Sequence, residues 1–569
     1  MPVKNSSGRS SFRYSLAILL TCLSCYWSLH VLQPADAGAV PSAAAEEKLV
    51  QAMIEHIDCF PLEVLDVQQG KPLISIKELC MASIYHQTGA RPLWVTSEGP
   101  GVRGQAIRER LQRAAEEGLN SQDYEVDTLE RLWESRRPED LARLDTQLSY
   151  GLVRYIHDLR FGQIQLRAVD SQLFAEAGDE EFDPLRAVLE AGSAPDFDSY
   201  LDGLAPQHSY YRQLREALQH YRELAAQGDW PVMVAGPVLR PGMADARLAV
   251  LRQRLALTEN YQGVVEESEV YHPDLVITVK AFQEKHGLEP DGIIGPKTLT
   301  MLNRTPEELI KTIRVNMARW RWQAHDLGDT YLMVNIAAFS LKGIRDGQES
   351  LTLPVIVGKF QHQTPVFSSR IRYLEFHPYW TITPNIARNE ELPALRKNRF
   401  HLVDRHVRLF SSWQEDAVEL DSTAIDWEEV SRAQMGRYRL RQDPGPWNAL
   451  GQVKFVFPNK HMVYLHDTPT QDLFHQASRS FSHGCIRVSQ PLALAAFCLE
   501  GQDGWTDAAI GGIVAAGQRK VVSLRKPLPV HITYQTAWVD NNAVIRFNAD
   551  IYGRDRKILE ALDAHHLLH

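Results

Sequence analysis

One cysteine and two histidines carry the reactive chemistry of this chain. Cys485 follows His483 by two positions in Ser482-His483-Gly484-Cys485-Ile486-Arg487-Val488, and His466 stands upstream in His466-Asp467-Thr468-Pro469. A thiol is a weak nucleophile until it gives up its proton. An adjacent imidazole can take that proton and leave a thiolate–imidazolium pair. Gly484 permits a sharp turn and a close backbone approach, so the amide of Cys485 can face the oxyanion of a tetrahedral intermediate. The cluster therefore reads as an acyl-transfer site built on Cys485. Two other chemistries use the same residue types. His466, His475, His483 and Cys485 could ligate zinc, but there is no His-Glu-x-x-His and His-Gly-Cys crowds two ligands together. A papain-like protease places its Cys before its His, the reverse of the order here.

Such a site needs elements to position it. From about residue 313 the pattern is that of strands: Tyr331–Ile336, Leu353–Gly358, Lys454–Phe457 and Met462–Leu465 are β-rich runs, and the last delivers His466. Between 385 and 448 the strand signal lapses, and a connection that long suits a segment covering a site. Upstream, residues 45–235 read as helical. Leu152, Tyr155, Ile156 and Leu159 recur at helical spacing, as do Leu214, Leu218 and Tyr221. Gly89–Val95 interrupts that pattern as a turn into a short strand. Residues 236–305 form a smaller unit, with one amphipathic helix through Leu248, Leu251 and Leu255 and another through Leu275, Val279 and Phe282. A tight turn at Asp291-Gly292 and Pro296 at the start of a third helix complete it. Residues 512–569 are expected to form further strands, turning at Asp540-Asn541-Asn542, and a tail packed on one of the other units.

The chain has 569 residues, which implies roughly three or four domains. With 44% hydrophobic and 23% charged residues it belongs among folded globular chains. A net charge of −10 with no long basic run excludes nucleic acid as a partner. Lys4, Arg9 and Arg13 precede an apolar run from Tyr14 to about Leu32, and Ala35-Asp36-Ala37 follows as a small-x-small cleavage pattern. Residues 1–37 thus read as an export signal or a retained amino-terminal anchor. Of six cysteines, Cys59 and Cys80 are placed to form a disulfide in an oxidising compartment, and Cys498 lies in an apolar helix as a core residue.

The motif His466…Ser482-His483-Gly484-Cys485-Ile486-Arg487-Val488 resembles the signature of the L,D-transpeptidase (YkuD-type) catalytic domain. The words Arg314–Trp322, Val357-Gly358-Lys359, Gln363–Phe367, His377-Pro378-Tyr379-Trp380, Arg441–Asn448, Tyr464–Pro469 and Asp550–Asp555 are similar to the large YcbB subgroup. Val279–Leu288 and Asp291–Leu299 resemble the type 1 peptidoglycan-binding module, and the helical region resembles the subgroup's scaffold domain. The resemblance implies a multidomain α+β chain. It would have a helical scaffold domain (45–235), a small three-helix peptidoglycan-binding-like domain (236–305) and a mainly-β catalytic domain (313–511) with an inserted cap (385–448). It implies Cys485 as nucleophile and His466 as the proton acceptor, oriented by the carbonyl of Asp467. His483 and Gly484 would support the tetrahedral intermediate, and Tyr464, Asp467, Ser482, Arg487 and Trp380 would bind substrate. One departure stands out: His377-Pro378 replaces the subgroup's usual Asn-Pro.

The implied reaction joins peptidoglycan stem peptides through a thioester, releases D-alanine, forms 3→3 cross-links and is sensitive to carbapenems. No metal or other cofactor enters it. The implied setting is the periplasm of a Gram-negative-type envelope, with other cell-wall enzymes as partners, and with the inner membrane where the amino-terminal segment is retained. The same thiol would also serve an L,D-carboxypeptidase, a cross-link hydrolase or an enzyme attaching protein to the wall. A wall-binding scaffold with an inactive site is the reading from outside enzymology.

Overall fold

The computed structural model describes residues 42–57, 84–164, 166–170, 172, 182–263 and 269–567. The expected signal or anchor and the Cys59–Cys80 pair lie outside the described residues. Among the described residues no helix is long and apolar enough to cross a membrane.

The chain divides into two compact units. The first takes residues up to Arg113, Ser121–Ile156 and Phe182–Asp202 and is mainly helical. The interruption expected near Gly89–Val95 is a turn leading into a two-strand ribbon, β1 (Val95–Thr96) and β2 (Gly99–Pro100). Its anchor is the fully buried Asp145, which accepts the backbone N–H groups of Leu93, Trp94 and Val95 at 2.7–3.0 Å and the Tyr85 hydroxyl at 2.6 Å. Burial nonetheless pushes that carboxyl up to about 6.

The second unit holds the three-helix module, the mainly-β domain and the tail. The helices Arg247–Glu259, Pro273–Lys285 and Pro296–Leu302 share a core of Leu248, Leu251, Leu255, Leu275, Val279 and Phe282, as their spacing predicts. Buried Gln283 clamps the Asp291-Gly292 turn, donating to Asp291 and the Ile293 carbonyl and accepting the Gly292 N–H.

The strand pattern expected from 313 begins later. Pro306–Arg321 is a helix, opened by a Thr305/Glu308 capping box with Pro306 in its first turn. Ile313, Met317 and Trp320 fall at helical spacing and are all buried, so burial of one face decides the conformation there.

The strands are β3 (Thr330–Asn335), β4 (Ser340–Arg345), β5 (Gln348–Gly358) and β6 (Phe367–Phe376). Then come β7 (Trp380–Ile382), β8 (Val407–Phe410), β9 (Glu419–Leu420) and β10 (Arg439–Gln442). The last set is β11 (Val453–Val456), β12 (Leu465–His466), β13 (Ser480–Ser482), β14 (Ile486–Val488), β15 (Lys520–Thr533), β16 (Ala537–Val539) and β17 (Ile545–Phe547).

Nine strands form one sheet in the order β13-β5-β14-β12-β11-β6-β15-β3-β4, and a β4–β5 pairing closes it on itself. Leu332, Val355, Leu374, Phe455, Leu465, Ile486 and Val530 fill the inner face, each fully buried. The expected division at 511 therefore falls short of the sheet. β15, beyond that boundary, pairs with both β6 and β3, because its alternating Val522, Leu528, Val530 and Ile532 complete the barrel core. Cys498 is buried in the helix Pro491–Leu499, as expected.

The insertion is not strandless. β7, β10, β8 and β9 make a separate four-stranded sheet, and short helices pack on it around Ile382, Leu392, Leu395, Leu402, Leu409, Trp427 and Leu440. Its strands are only 2–4 residues long, too short to show a period in the sequence. The neck joining this cap to the barrel is tied at two points. The His377 N–H donates to the Gln452 carbonyl at 2.8 Å. Fully buried Asn448 donates to the carbonyls of Pro378 and Asp443, each at 3.0 Å, and accepts the Leu450 N–H at 2.8 Å.

Asn448→Ala would strand two carbonyls and one N–H in the neck. It is expected to lower stability by about 1–3 kcal/mol, read as a reduced midpoint in denaturant unfolding. An unchanged midpoint would show that water replaces these bonds without loss.

Candidate active site

Strand register builds the site. β12 and β14 run parallel, with Leu465 opposite Ile486 and His466 opposite Arg487. Leu465 and Ile486 point into the barrel core. Side chains alternate along a strand, so Tyr464, His466, Cys485 and Arg487 share the outer face. Across the neighbouring strands the same outer row continues through Lys454 on β11 and Glu375 on β6. Cys485 and His466 are thus diagonal neighbours on adjacent strands, a separation that long side chains bridge. The Ile486 N–H donates to the Tyr464 carbonyl at 3.1 Å, which fixes this register at the cysteine.

His466 is buried, and its Nδ1 lies 2.5 Å from the Asp467 carbonyl. That contact puts the proton on Nδ1 and leaves Nε2 as an acceptor, the orientation expected from the sequence. Burial first, then the charge of Arg487, pushes the imidazole down from 6.5 to about 3, with Lys454 adding to the effect. Burial raises the Cys485 thiol, against hydrogen bonds from Tyr464 and the nearby Lys454 and Arg487, although the side chain stays partly exposed. The resting pair is therefore a neutral thiol beside a neutral imidazole. Burial of both groups, and Arg487 and Lys454 beside the imidazole, favour this neutral pair over the thiolate–imidazolium pair.

The loop carrying Cys485 is held from three sides. Gly484 has φ +112°, a conformation open to glycine. The Ser482 hydroxyl donates to the Cys485 carbonyl at 2.5 Å and accepts the Gly484 N–H at 3.1 Å. Thr364 Oγ1 donates to the Gly484 carbonyl and accepts the Gly358 N–H, each at 2.9 Å. From the tail, the Tyr552 hydroxyl donates to the Gly358 carbonyl at 2.5 Å. The Cys485 N–H has no protein acceptor among the described residues, as a donor reserved for an oxyanion requires.

The other expected residues fall into two groups. Arg487 lines an open groove of about 280 Å³ with Arg405, Gln442 and Trp447, and its Nε has no hydrogen-bond partner among the described residues. Tyr464 stands beside His466, ring centroids 5.6 Å apart, under the ammonium of Lys454 at 4.1 Å. His483 lies at the rim, its Nε2 on the Glu390 carboxylate and its ring 5.0 Å from that of His362. Ser482 and Asp467 are buried and spend their polar atoms internally. The Asp467 carboxylate accepts the N–H groups of Gln452 at 2.8 Å and Thr468 at 2.7 Å. Asp467 still borders a groove of about 830 Å³, together with His377, Pro446, Gln452, Thr468 and Gln471. Trp380 belongs to β7 and packs on the cap's own core.

Lys454, Glu390, Thr364 and Tyr552 were not singled out from the sequence. A lysine between Val453 and Phe455 in a strand pattern marks the outer face, and that was the available signal for Lys454. The other three act across 93–194 residues of sequence, so no periodicity marks their roles, although Thr364 and Tyr552 lie in words quoted for the resemblance.

Residues 329–516 match the family model of the L,D-transpeptidase catalytic domain (YkuD). Residues 80–218 match the scaffold domain model, and 245–302 match one described as "Putative peptidoglycan binding domain". A protein of Haemophilus influenzae named "Putative L,D-transpeptidase" is 33% identical over 227 residues, which is 40% of this chain and 45% of that protein. The match thus spans under half of the relative's length. Among solved structures, an L,D-transpeptidase from Mycobacterium smegmatis matches 36% of this chain and 58% of that one at 13% identity and a TM-score of 0.18. An L,D-transpeptidase from Xylanimonas cellulosilytica matches 52% of this chain and 98% of that one at 15% identity and a TM-score of 0.17.

His466 in the folded chain stays neutral down to about 3, whereas the unfolded side chain takes a proton at 6.5. The stability it contributes is complete above pH 6.5 and is lost as pH falls toward 3, because only the unfolded state binds the proton in that window. His466→Gln should therefore lose less stability than the native chain on acidification through this range, measured by denaturant titration at stepped pH. Parallel acid profiles would show that His466 is not buried neutral.

Proposed function

From the premise that this chain carries a YkuD-type L,D-transpeptidase catalytic domain behind scaffold and peptidoglycan-binding domains, we propose that it forms 3→3 peptidoglycan cross-links through a thioester on Cys485. The observation that carries the reading is the pairing of β12 with β14. It puts the sulfur and an imidazole with a free Nε2 on one face of the sheet.

Because both groups are neutral at rest, the thiol proton passes to His466 Nε2 as sulfur attacks the carbonyl of the third stem residue. The developing oxyanion faces the Cys485 N–H and the rim histidine, His483. Lys454 and Arg487, which disfavour the imidazolium, favour negative charge on sulfur and oxygen. The imidazolium then gives its proton to the departing D-alanine amine, leaving the thioester. In the second half the acceptor amine attacks the thioester. His466 takes the amine's proton and returns it to the sulfur, and an amide is formed. The Arg487 guanidinium, which lines the 280 Å³ groove, suits a stem carboxylate.

The cap covers the face where acceptor and water compete. Its place over the site favours transfer to an amine over hydrolysis. Chemistry on peptidoglycan places the enzyme in the periplasm or at the wall.

Cys485→Ala is expected to fold normally and to gain no mass from a tetrapeptide stem or a carbapenem. His466→Ala should slow the gain by about 10²–10⁴-fold. Intact-protein mass spectrometry reads both, and an adduct on Cys485→Ala would remove the cysteine from its role.

A further inference from the structure

Among the hydrogen bonds of the described residues, one runs from the cap to the catalytic loop, through a side chain whose neighbours are bonded within the cap. Residues Ala387–Glu391 form a single π-helical turn inside the cap, a distortion that recurs at functional positions. Arg388 donates to the Arg432 carbonyl at 3.1 Å. Asn389 is bonded to Asn385 and Arg432. Glu391 is buried, with its carboxylate held by Arg405 at 2.7 Å and His401 at 2.9 Å. Glu390 alone leaves the cap, and its carboxylate meets Nε2 of His483 on the far side of the cleft. His483 is two positions from Cys485, and the intervening Gly484 has φ +112°.

We propose that Glu390 is a positioning residue: through His483 it ties the cap to the nucleophile loop and holds the cap closed while the acyl group is on Cys485. The inference rests on the proposed acyl-enzyme and adds to it the element that keeps water out until an amine arrives. The turn gives the carboxylate a fixed point of departure, because the residues on both sides of it are tied into the cap. The His483 ring, tilted against that of His362 with centroids 5.0 Å apart, gives it a target. The bond is exposed on both sides, with 28% and 46% side-chain accessibility, so it tilts a closed–open balance without locking it. An exposed pair of this kind shifts a balance by roughly 1.5- to 5-fold.

Two measurements on the full chain test it. With tetrapeptide stems, Glu390→Ala should raise the ratio of hydrolysed tripeptide to cross-linked dimer by roughly 1.5- to 5-fold. Glu390→Gln, which keeps a hydrogen-bonding amide of the same length, should restore the native ratio. By hydrogen exchange without substrate, Glu390→Ala should speed exchange in 387–391 and 482–486 together, and Glu390→Gln should not. A native product ratio in Glu390→Ala, or a Gln variant as impaired as Ala, overturns the tie. So does unchanged exchange in the loop. Because exchange needs no chemistry, it decides the matter even if the native chain forms no adduct, an outcome that would count against the cross-linking reading instead.

Discussion

The molecule depends on keeping one imidazole neutral in a place that would normally be hostile to a base. His466 is buried on the outer face of the barrel, between Lys454 and Arg487, with Nδ1 held by a backbone carbonyl. Each feature alone is ordinary; together they decide the order of events. A charged imidazole would be penalised by burial and by two cations. In the proposed reaction the proton arrives as bond formation at sulfur creates negative charge that the same cations stabilise. Burial pushes the resting thiol up, which disfavours the reactive thiolate.

The rest of the catalytic domain serves that geometry from a distance. The barrel core aligns β12 and β14. Thr364 and Tyr552, reaching from a loop and from the tail, hold the Gly358–Gly484 contact on which the cysteine loop leans. The approach there is close: a Cβ on Gly358 would meet the His362 carbonyl oxygen at 2.0 Å. At the cap neck, His377 has φ +45°, and its ring Nε2 lies 2.9 Å from the Val514 carbonyl. Asn and His both visit this left-handed region more readily than most residues. The replacement of Asn-Pro by His-Pro therefore keeps the backbone and adds a tie to the helix Asp507–Ala516. His377 also borders the 830 Å³ groove, on which Asp467 opens.

The small helical module is joined to the catalytic domain through its own apolar end. The His286 ring stacks on Phe547 of β17 at 5.5 Å, and Gly287 comes close to Asn548. Burial holds the His286 imidazole well below its usual value. That contact joins the module to the β16–β17 hairpin of the tail, which is separate from the nine-stranded sheet. Pro306–Arg321, the helix that follows the module, continues the connection, with Arg319 paired to Asp555 at 2.6 Å.

Much of this was legible in the sequence where the signal is local. The histidine–cysteine word, the strand runs, the three-helix periodicity and the Asp540–Asn542 turn depend on neighbouring residues. Side-chain alternation, helical spacing and turn chemistry express themselves within a few positions. The orienting carbonyl of Asp467 was equally accessible, since it is adjacent to His466. What only the tertiary structure decided is everything that sequence distance hides. β15 is a central strand because distant β6 and β3 need a partner, and the cap has its own sheet because strands of two to four residues gain their pairing from context. The protonation state of the resting pair also belongs here. Residue types at the motif say which groups can exchange a proton. Burial and the placement of Lys454 and Arg487 bear on where it rests, because the cost of a charge is set by what surrounds it in space.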